Sequence, residues 1–461
     1  MQNIKENKMG VRPIPSLLFS MGIPIMLSMM VQALYNIVDS IFISRVGEAA
    51  LTAVSLGFPI QIVMISVGVG TSIGLNALLS RRLGERRPDL ASNVAMHGLF
   101  LVVVISSIIA VLGATLPFWF IKMFTTDKEI ISMGNAYLFI ITVGSFGLFG
   151  QLILERIMQS TGDTIHPMIT QATGAIINII LDPILIFGYF GLPAMGVTGA
   201  AIATIIGQFS GLGLGLFFLF TKIHDIKIDF KKFKLHKETI KGIFRVGFPS
   251  IIMQSIGSLM SIGMNAILIG FSATAVAVFG IYFRLQSLIF MPIFGLSTAM
   301  ISLVAFNYGA RNKKRVISTI KLTVLIAFTI MSLGTALFQF FPDQLLRMFD
   351  ASDEMLSIGR DALRTISFAF PFAGIAIVFS VSFQALGKGM YSMMMSIVRQ
   401  LVVLLPAAYL LSLTNIISYT WYSFLIAEGV SLIMALSLFY HIYQTKIKMI
   451  GEEQVAQLAT S

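Results

Sequence analysis

Asp39, Asn178 and Asp182 are the residues of this 461-residue chain whose types and spacing can do chemistry in an apolar setting. Asp39 stands in MGIPIMLSMMVQALYNIVDSIFI (21–43), a run long and apolar enough to cross a bilayer. A carboxylate in hydrocarbon is costly unless neutralised or paired, so an acid there reads as functional. Pro24 in the same run removes a backbone donor and bends or weakens a helix, which makes it a hinge candidate. Asp182 lies in NIILDPILIFG, with Asn178 one turn before it on the same helical face. Tyr137 and Thr204, in the neighbouring apolar runs, reach a similar depth. Two carboxylates close together in low dielectric repel, and both then favour holding a proton; a bound Na⁺ favours the ionised pair instead. Asp, Asn and Thr oxygens suit hard cations. The group therefore fits either H⁺ or Na⁺, and the residues do not choose. The simpler reading makes Pro24 a packing kink, Asp39 a headgroup contact and Asp182-Pro183 a cap on a distorted helix. Intramembrane acids mark function more often than that.

The elements that must position these residues are membrane helices. Only 11% of residues are charged and the mean hydropathy is +0.88, which excludes an ordinary soluble protein. The pattern predicts an all-α polytopic membrane protein with twelve spans, near 15–43, 51–79, 92–121, 130–154, 166–190, 194–221, 242–270, 273–305, 317–341, 358–385, 390–413 and 416–443. There is no cysteine, so disulfides and thiolate metal sites are excluded, and the five histidines lack metal-ligand spacing. No cleavable signal pattern leads the chain. The net charge of +11 falls in short segments between apolar runs, as a membrane topology requires, rather than in a basic domain for nucleic acid. Arg81, Arg82, Arg86 and Arg87, the linker lysines (Lys227, Lys231 and Lys232 among them), Arg311 to Arg315, and Lys5 all fall on one side of a twelve-span model. Both termini are therefore expected in the cytoplasm.

The chain repeats itself. Gly22 and Pro24 match Gly247 and Pro249, Gly84 and Arg86 match Gly309 and Arg311, Gly134 matches Gly359, and Gln159 and Gly162 match Gln384 and Gly387, every pair 225 positions apart. A fixed offset over five helices is hard to obtain from biased composition. It predicts two six-helix lobes, residues 1–221 and 242–461, joined by a basic cytoplasmic linker, 222–241. Six spans per repeat send both halves into the membrane from the same side, and such a bundle can rock around a central cavity. The repeat is also a control: what both halves share is architecture. Asp39 and Asp182 fall opposite Met264 and Ala407, so the acids are not needed to build the fold.

These residues resemble the multidrug and toxic compound extrusion (MATE) transporters, in the bacterial DinF/MepA-like branch. The match rests on the GxP start of span 1, Asp39, the GER and GAR loops, QSTGD, NIILDPILIFG and GVTGAAIAT, and it covers nearly the whole chain. The resemblance implies a V-shaped six-plus-six bundle acting as a monomer. It implies export of cationic or amphipathic organic compounds by H⁺ or Na⁺ antiport, with no cofactor. Within the family, an N-lobe cation site resembles Asp39, Asn178, Asp182, Tyr137 and Thr204, with Pro24 at the matching kink, and Gln32 and Tyr35 match positions near the substrate cavity. Other members carry acids on spans 7 and 10. This sequence has none between Gly247 and Gly270 and only Asp361 at the start of span 10.

Glu428, near mid-membrane, is read either as a second substrate-facing charge or as a partner of Arg399 or Arg284. Arg284 is a structural or cavity residue, and Met264 belongs to a methionine set that would suit a pocket for varied apolar cations, though most such residues are core. A flippase for lipid-linked sugars is the competing transport class; the acidic N-lobe disfavours anionic lipid cargo. An intramembrane enzyme would need clustered nucleophiles or metal motifs, and an ATP-driven machine a GxxxxGKS/T loop; neither is present.

Overall fold

The computed structural model describes residues 7–229, 231, 233–349 and 351–450. Lys5 and Lys232 of the basic set lie outside the described residues. All regular structure among the described residues is helical: α1 (Lys8–Val11), α2 (Ile14–Val46), α3 (Glu48–Gly84), α4 (Pro88–Thr115), α5 (Pro117–Lys122), α6 (Lys128–Val143), α7 (Phe146–Ser160), α8 (Ile165–Phe187), α9 (Val197–Lys222) and α10 (Lys237–Leu268) in the first half of the order. The rest are α11 (Ala273–Gly309), α12 (Lys313–Phe340), α13 (Pro342–Arg347), α14 (Asp353–Ser367), α15 (Phe370–Ala385), α16 (Gly389–Ile397), α17 (Leu405–Ser412), α18 (Ile417–Thr420) and α19 (Tyr422–Ile442). Ten helical stretches are long and apolar enough to cross a membrane, and twelve with the bent pairs counted as one span each.

Those two bent pairs differ from the unbroken spans expected at 130–154 and 358–385. α6 and α7 meet at 41°, α14 and α15 at 48°. At the first break Gly144 ends α6 where α9 crosses, and a Cβ there would sit 2.1 Å from Ile205 Cδ1, so that side chain would have to move. In the second, Pro371 opens α15 and cannot continue the preceding hydrogen-bond ladder.

Backbone conformation carries the repeat. Arg86 and Arg311 both stand at φ 56°, left-handed positions that a side chain disfavours. Gly162 (φ 91°) and Gly387 (φ 73°) repeat the same device at the other matched turn. Two unrelated sequences have no reason to place strain at the same offset.

The chain forms two compact units, one of Ile23–Gly247, the other of Met1–Gly22 with Phe248–Ser461. Each crossing point lies within a continuous helix, one residue before Pro24 in α2 and one before Pro249 in α10. In the unit of Ile23–Gly247 the linker is built in. Ile223, Ile226 and Ile243 join the core formed by α3, α4 and α7. The Lys227 and His236 amides donate to Ser92 Oγ (3.0 Å) and His97 Nε2 (2.9 Å). In the other unit, Met9, Leu17, Leu18 and Met21 are fully buried. The Met9 carbonyl accepts from Asn307 Nδ2 (3.2 Å) and Arg315 Nη2 (2.9 Å).

Candidate functional site

In the unit of Ile23–Gly247, α2 carries Gln32, Tyr35 and Asp39 at three- and four-residue spacing, one stripe of the helix. α8 carries Asn178 and Asp182 one turn apart, and Pro183 withholds a backbone donor beside the acid. Gly207 lets α9 approach α8 closely: its missing Cβ would lie 2.6 Å from the Gly174 carbonyl oxygen and 3.2 Å from Asn178 Cβ. That approach brings Thr204 to the site.

Asp182 is completely buried and Asn178 nearly so. Asn178 Nδ2 donates to Asp182 Oδ1 (3.3 Å) and to Thr204 Oγ1 (3.4 Å). Asp39 and Asp182 lie close enough to act on each other electrostatically, and Tyr35 and Tyr137 lie within the reach of both. Asp39 Oδ1, Asp182 Oδ2 and Asn178 Oδ1 are buried oxygens with no protein donor. Carboxylates only accept hydrogen bonds, so a pair of them in contact is completed by a proton between them or by a cation. The three orphaned oxygens are acceptors, the chemistry that a proton or a small hard cation satisfies. An apolar cluster of Ile43, Leu138, Ile141, Ile186 and Ala200 packs on Tyr137. The five residues expected to converge (Asp39, Tyr137, Asn178, Asp182, Thr204) are therefore together.

Two participants were not foreseen. Gln61, on α3, donates through Nε2 to the Tyr137 hydroxyl at 2.7 Å, which fixes the phenol's orientation. Gln171, on α8, donates to Gln32 Oε1 at 2.9 Å, which ties the α2 stripe to α8 below the acids. α2 itself is continuous through Pro24, whose carbonyl accepts from Ser28 Oγ at 3.0 Å. Serine back-bonding of this kind favours a bend at the same place.

The other unit is arranged differently. Glu428 Oε1 accepts from Arg399 Nη1 at 3.0 Å, while Glu428 Oε2 is buried without a donor. Arg399 sits in a π-helical stretch, Val398–Leu404, and the fully buried Tyr282 lies beside the pair. π-helical turns recur at functional sites. Arg284, the other partner weighed for Glu428, is exposed, and Met264 is fully buried. Asp361 is exposed and accepts from Ser418 Oγ at 2.8 Å. No group of three or more His, Cys, Asp or Glu residues among the described residues could hold a metal ion.

Comparison with known proteins follows the same division. The family model described as MatE matches residues 24–184 and 249–410. A FAD transporter of Shewanella oneidensis is 26% identical over 86% of this chain and 88% of its own length. The multidrug export protein MepA of Staphylococcus haemolyticus is 28% identical over 91% of this chain and 92% of its own. Among solved structures, an outward-facing multidrug resistance MATE family transporter of the MOP superfamily superposes with a TM-score of 0.89 at 27% identity, over 98% of this chain and 100% of that one.

Proposed function

The chain belongs to the MATE family of multidrug efflux transporters, and from that premise we propose that it exports cationic or amphipathic organic compounds by antiport against H⁺ or Na⁺, with the coupling ion held by Asp39 and Asp182. The observation that carries this reading is the pair of neighbouring carboxyl groups, each with a buried oxygen that has no donor. Such a pair has two states, complete with an ion and incomplete without, and the difference is what an ion must supply to bias a two-state transporter. Asn178 and Thr204 hold the pair, and Gln61 holds Tyr137 over it. Pro24 lets α2 respond. Gln32 and Tyr35 continue the same stripe toward the compound. The protein works in alternating access, with the basic loops in the cytoplasm.

Reconstituted protein tests the reading. Ethidium flux is followed in liposomes under a pH gradient alone and a Na⁺ gradient alone. One gradient is expected to drive flux, and Asp182→Asn to abolish that drive. Flux that ignores both gradients refutes ion coupling. A second reading, flavin dinucleotide export, is supported by the name of the Shewanella relative; FAD added to the same vesicles competes with ethidium if it holds.

A further inference from the structure

We propose that Glu155 is the inner relay for the coupling proton, taking it from the Asp39–Asp182 pair and passing it to the end of the helices that carries Arg81 to Arg87; this rests on the proton-coupled form of the function proposed above.

Glu155 lies on α7 and is 7% exposed, a carboxylate inside an apolar bundle with no part in the site already described. Its Oε1 accepts from Gln151 Nε2 at 3.0 Å. Gln151 in turn reaches the acid site's own helix. A Cβ at Gly174 would come within 3.9 Å of Gln151 Nε2, and one at Gly211 within 2.8 Å of its Oε1. Gly174 is one turn below Asn178 on α8, and Asn178 one turn below Asp182. Glycine at 174, 207 and 211 lets α8, α9 and the Gln151 amide meet closely, with no carbon side chain between them. A line of polar atoms therefore runs Asp182, Asn178, the glycine contact, Gln151, Glu155.

Distance makes a station necessary. Asp182 is about 25 Å along α8 from its first residue, at 1.5 Å per residue, whereas Glu155 is only about 7 Å from the end of α7. That end is wired to the basic loop's helix: Ser160 Oγ donates to Asn76 Oδ1 on α3 at 2.9 Å, and Ser80, beside Arg81, donates to the same oxygen at 3.1 Å. A bare charge cannot cross such a distance of low-dielectric interior.

The electrostatics suit passage rather than storage. α3, α4, α8 and α9 all pack on α7. Among the described residues the one charge acting on Glu155 is Arg156, on its own helix. Arg156 Nη1 donates to Gln159 Oε1 at 2.7 Å, and its Nε is buried without a partner. When Glu155 is ionised the two charges offset each other. When Glu155 holds a proton, Arg156 is left uncompensated. Water along this line carries the proton: the O–H bond at Asp182 breaks, the proton moves as hydronium, an O–H bond forms at Glu155, and that bond breaks in turn as the proton passes to water at the basic end.

The test uses full-length protein in liposomes with ethidium as the probe. Three quantities are read: flux driven by a pH gradient, ethidium–ethidium exchange at equal pH, and ethidium binding by fluorescence. Exchange needs no net proton movement. Glu155→Gln is expected to slow driven flux tenfold or more while exchange and affinity stay within twofold, and Glu155→Asp to restore most of the loss. Gln151→Leu, which cuts the line without touching a charge, should slow driven flux in the same selective way and serves if the Glu155 variant fails to fold. Exchange falling in parallel with driven flux would show a structural role, and a tenfold loss of affinity would show a substrate contact; either overturns the relay. Asp182→Asn is run alongside. If it keeps its pH-driven flux, the coupling reading fails and takes the relay with it. If it loses that flux while Glu155→Gln is normal, the relay alone is wrong.

Discussion

At the scale of single residues, the site is a set of oxygens short of donors. Asp39→Asn and Asp182→Asn each put a permanent amide donor where the proton or cation belongs, so the pair is completed without an ion. Both should leave the protein folded and cut ion-driven efflux at least a hundredfold, read as ethidium flux and as resistance in a susceptible strain. Asp361→Asn, at an exposed residue held by a serine, should keep more than half the flux. Glu428→Gln should also remain ion-driven, because Glu428 is already answered by Arg399. Loss of coupling in that variant, with Asp182→Asn behaving as wild type, would move the ion site to the other unit.

Much of this site is written plainly in the sequence, because an acid is conspicuous inside an apolar run. Asp39 and Asp182 also lack counterparts 225 positions on. Gln61 was hidden by the same comparison: Gln286 stands at its matching position, so it reads as shared architecture. Its hydrogen bond to Tyr137 depends on how α3 crosses α6, which no local pattern encodes. Glu155 and Arg156 were legible and passed over. They face Ser380 and Val381 in the second half, the same broken symmetry that singles out Asp39.

At the scale of elements, glycines decide how closely helices cross. A Cβ at Gly74 of α3 would stand 2.1 Å from the Ile243 carbonyl at the start of α10. Backbone cannot yield as a side-chain tip does, so Gly74→Ala should destabilise the protein by roughly 1–3 kcal/mol, the range for overpacked cores. Thermal unfolding in detergent measures it, and an unchanged midpoint would mean that α10 is free to retreat. Such contacts are invisible to periodicity, which predicts that a helix exists but not what it touches. The break within the fourth span lies at such a contact, Gly144 against Ile205; the one within the tenth was legible at Pro371 and passed over.

Outside the spans, Arg360 hydrogen-bonds Asp343 at 2.8–2.9 Å and holds its carboxyl below the usual range. A depressed folded pKa stabilises above the unfolded value, near 3.9, and that stability is lost as pH falls through the folded one. Asp343→Asn should therefore lower the midpoint by the same small amount from pH 6 to 9, and by progressively less as the pH drops below about 4. A difference that grows on acidification would contradict the pairing.

At the scale of the whole molecule, the charge pattern orients the chain. With no native cysteine, single cysteines at Glu238 and Ser352, both exposed, can be labelled in intact cells with an impermeant maleimide. Position 352 should react and position 238 should not, as basic segments stay in the cytoplasm. The reverse would invert the topology. The two-unit organisation was legible from the repeat; where the chain changes units was not, because nothing in an uninterrupted helix marks that Gly22 and Ile23 belong to different bodies.

That crossing has a consequence for how the protein is made. Translation delivers residues 8–22 first, yet the unit that buries Met9, Leu17, Leu18 and Met21 otherwise begins at Phe248. That segment must wait at the membrane until Phe248 and the residues after it have been made. The unit of Ile23–Gly247, by contrast, is complete as soon as its borrowed start of α10 emerges. Assembly in sequence, one unit closing before the other is synthesised, exposes apolar surface only on the waiting strap. Ribosome-arrested chains long enough for residue 247 to have emerged should show residues 23–247 protected from protease and residues 8–22 cut, with protection of the latter arriving only in much longer chains.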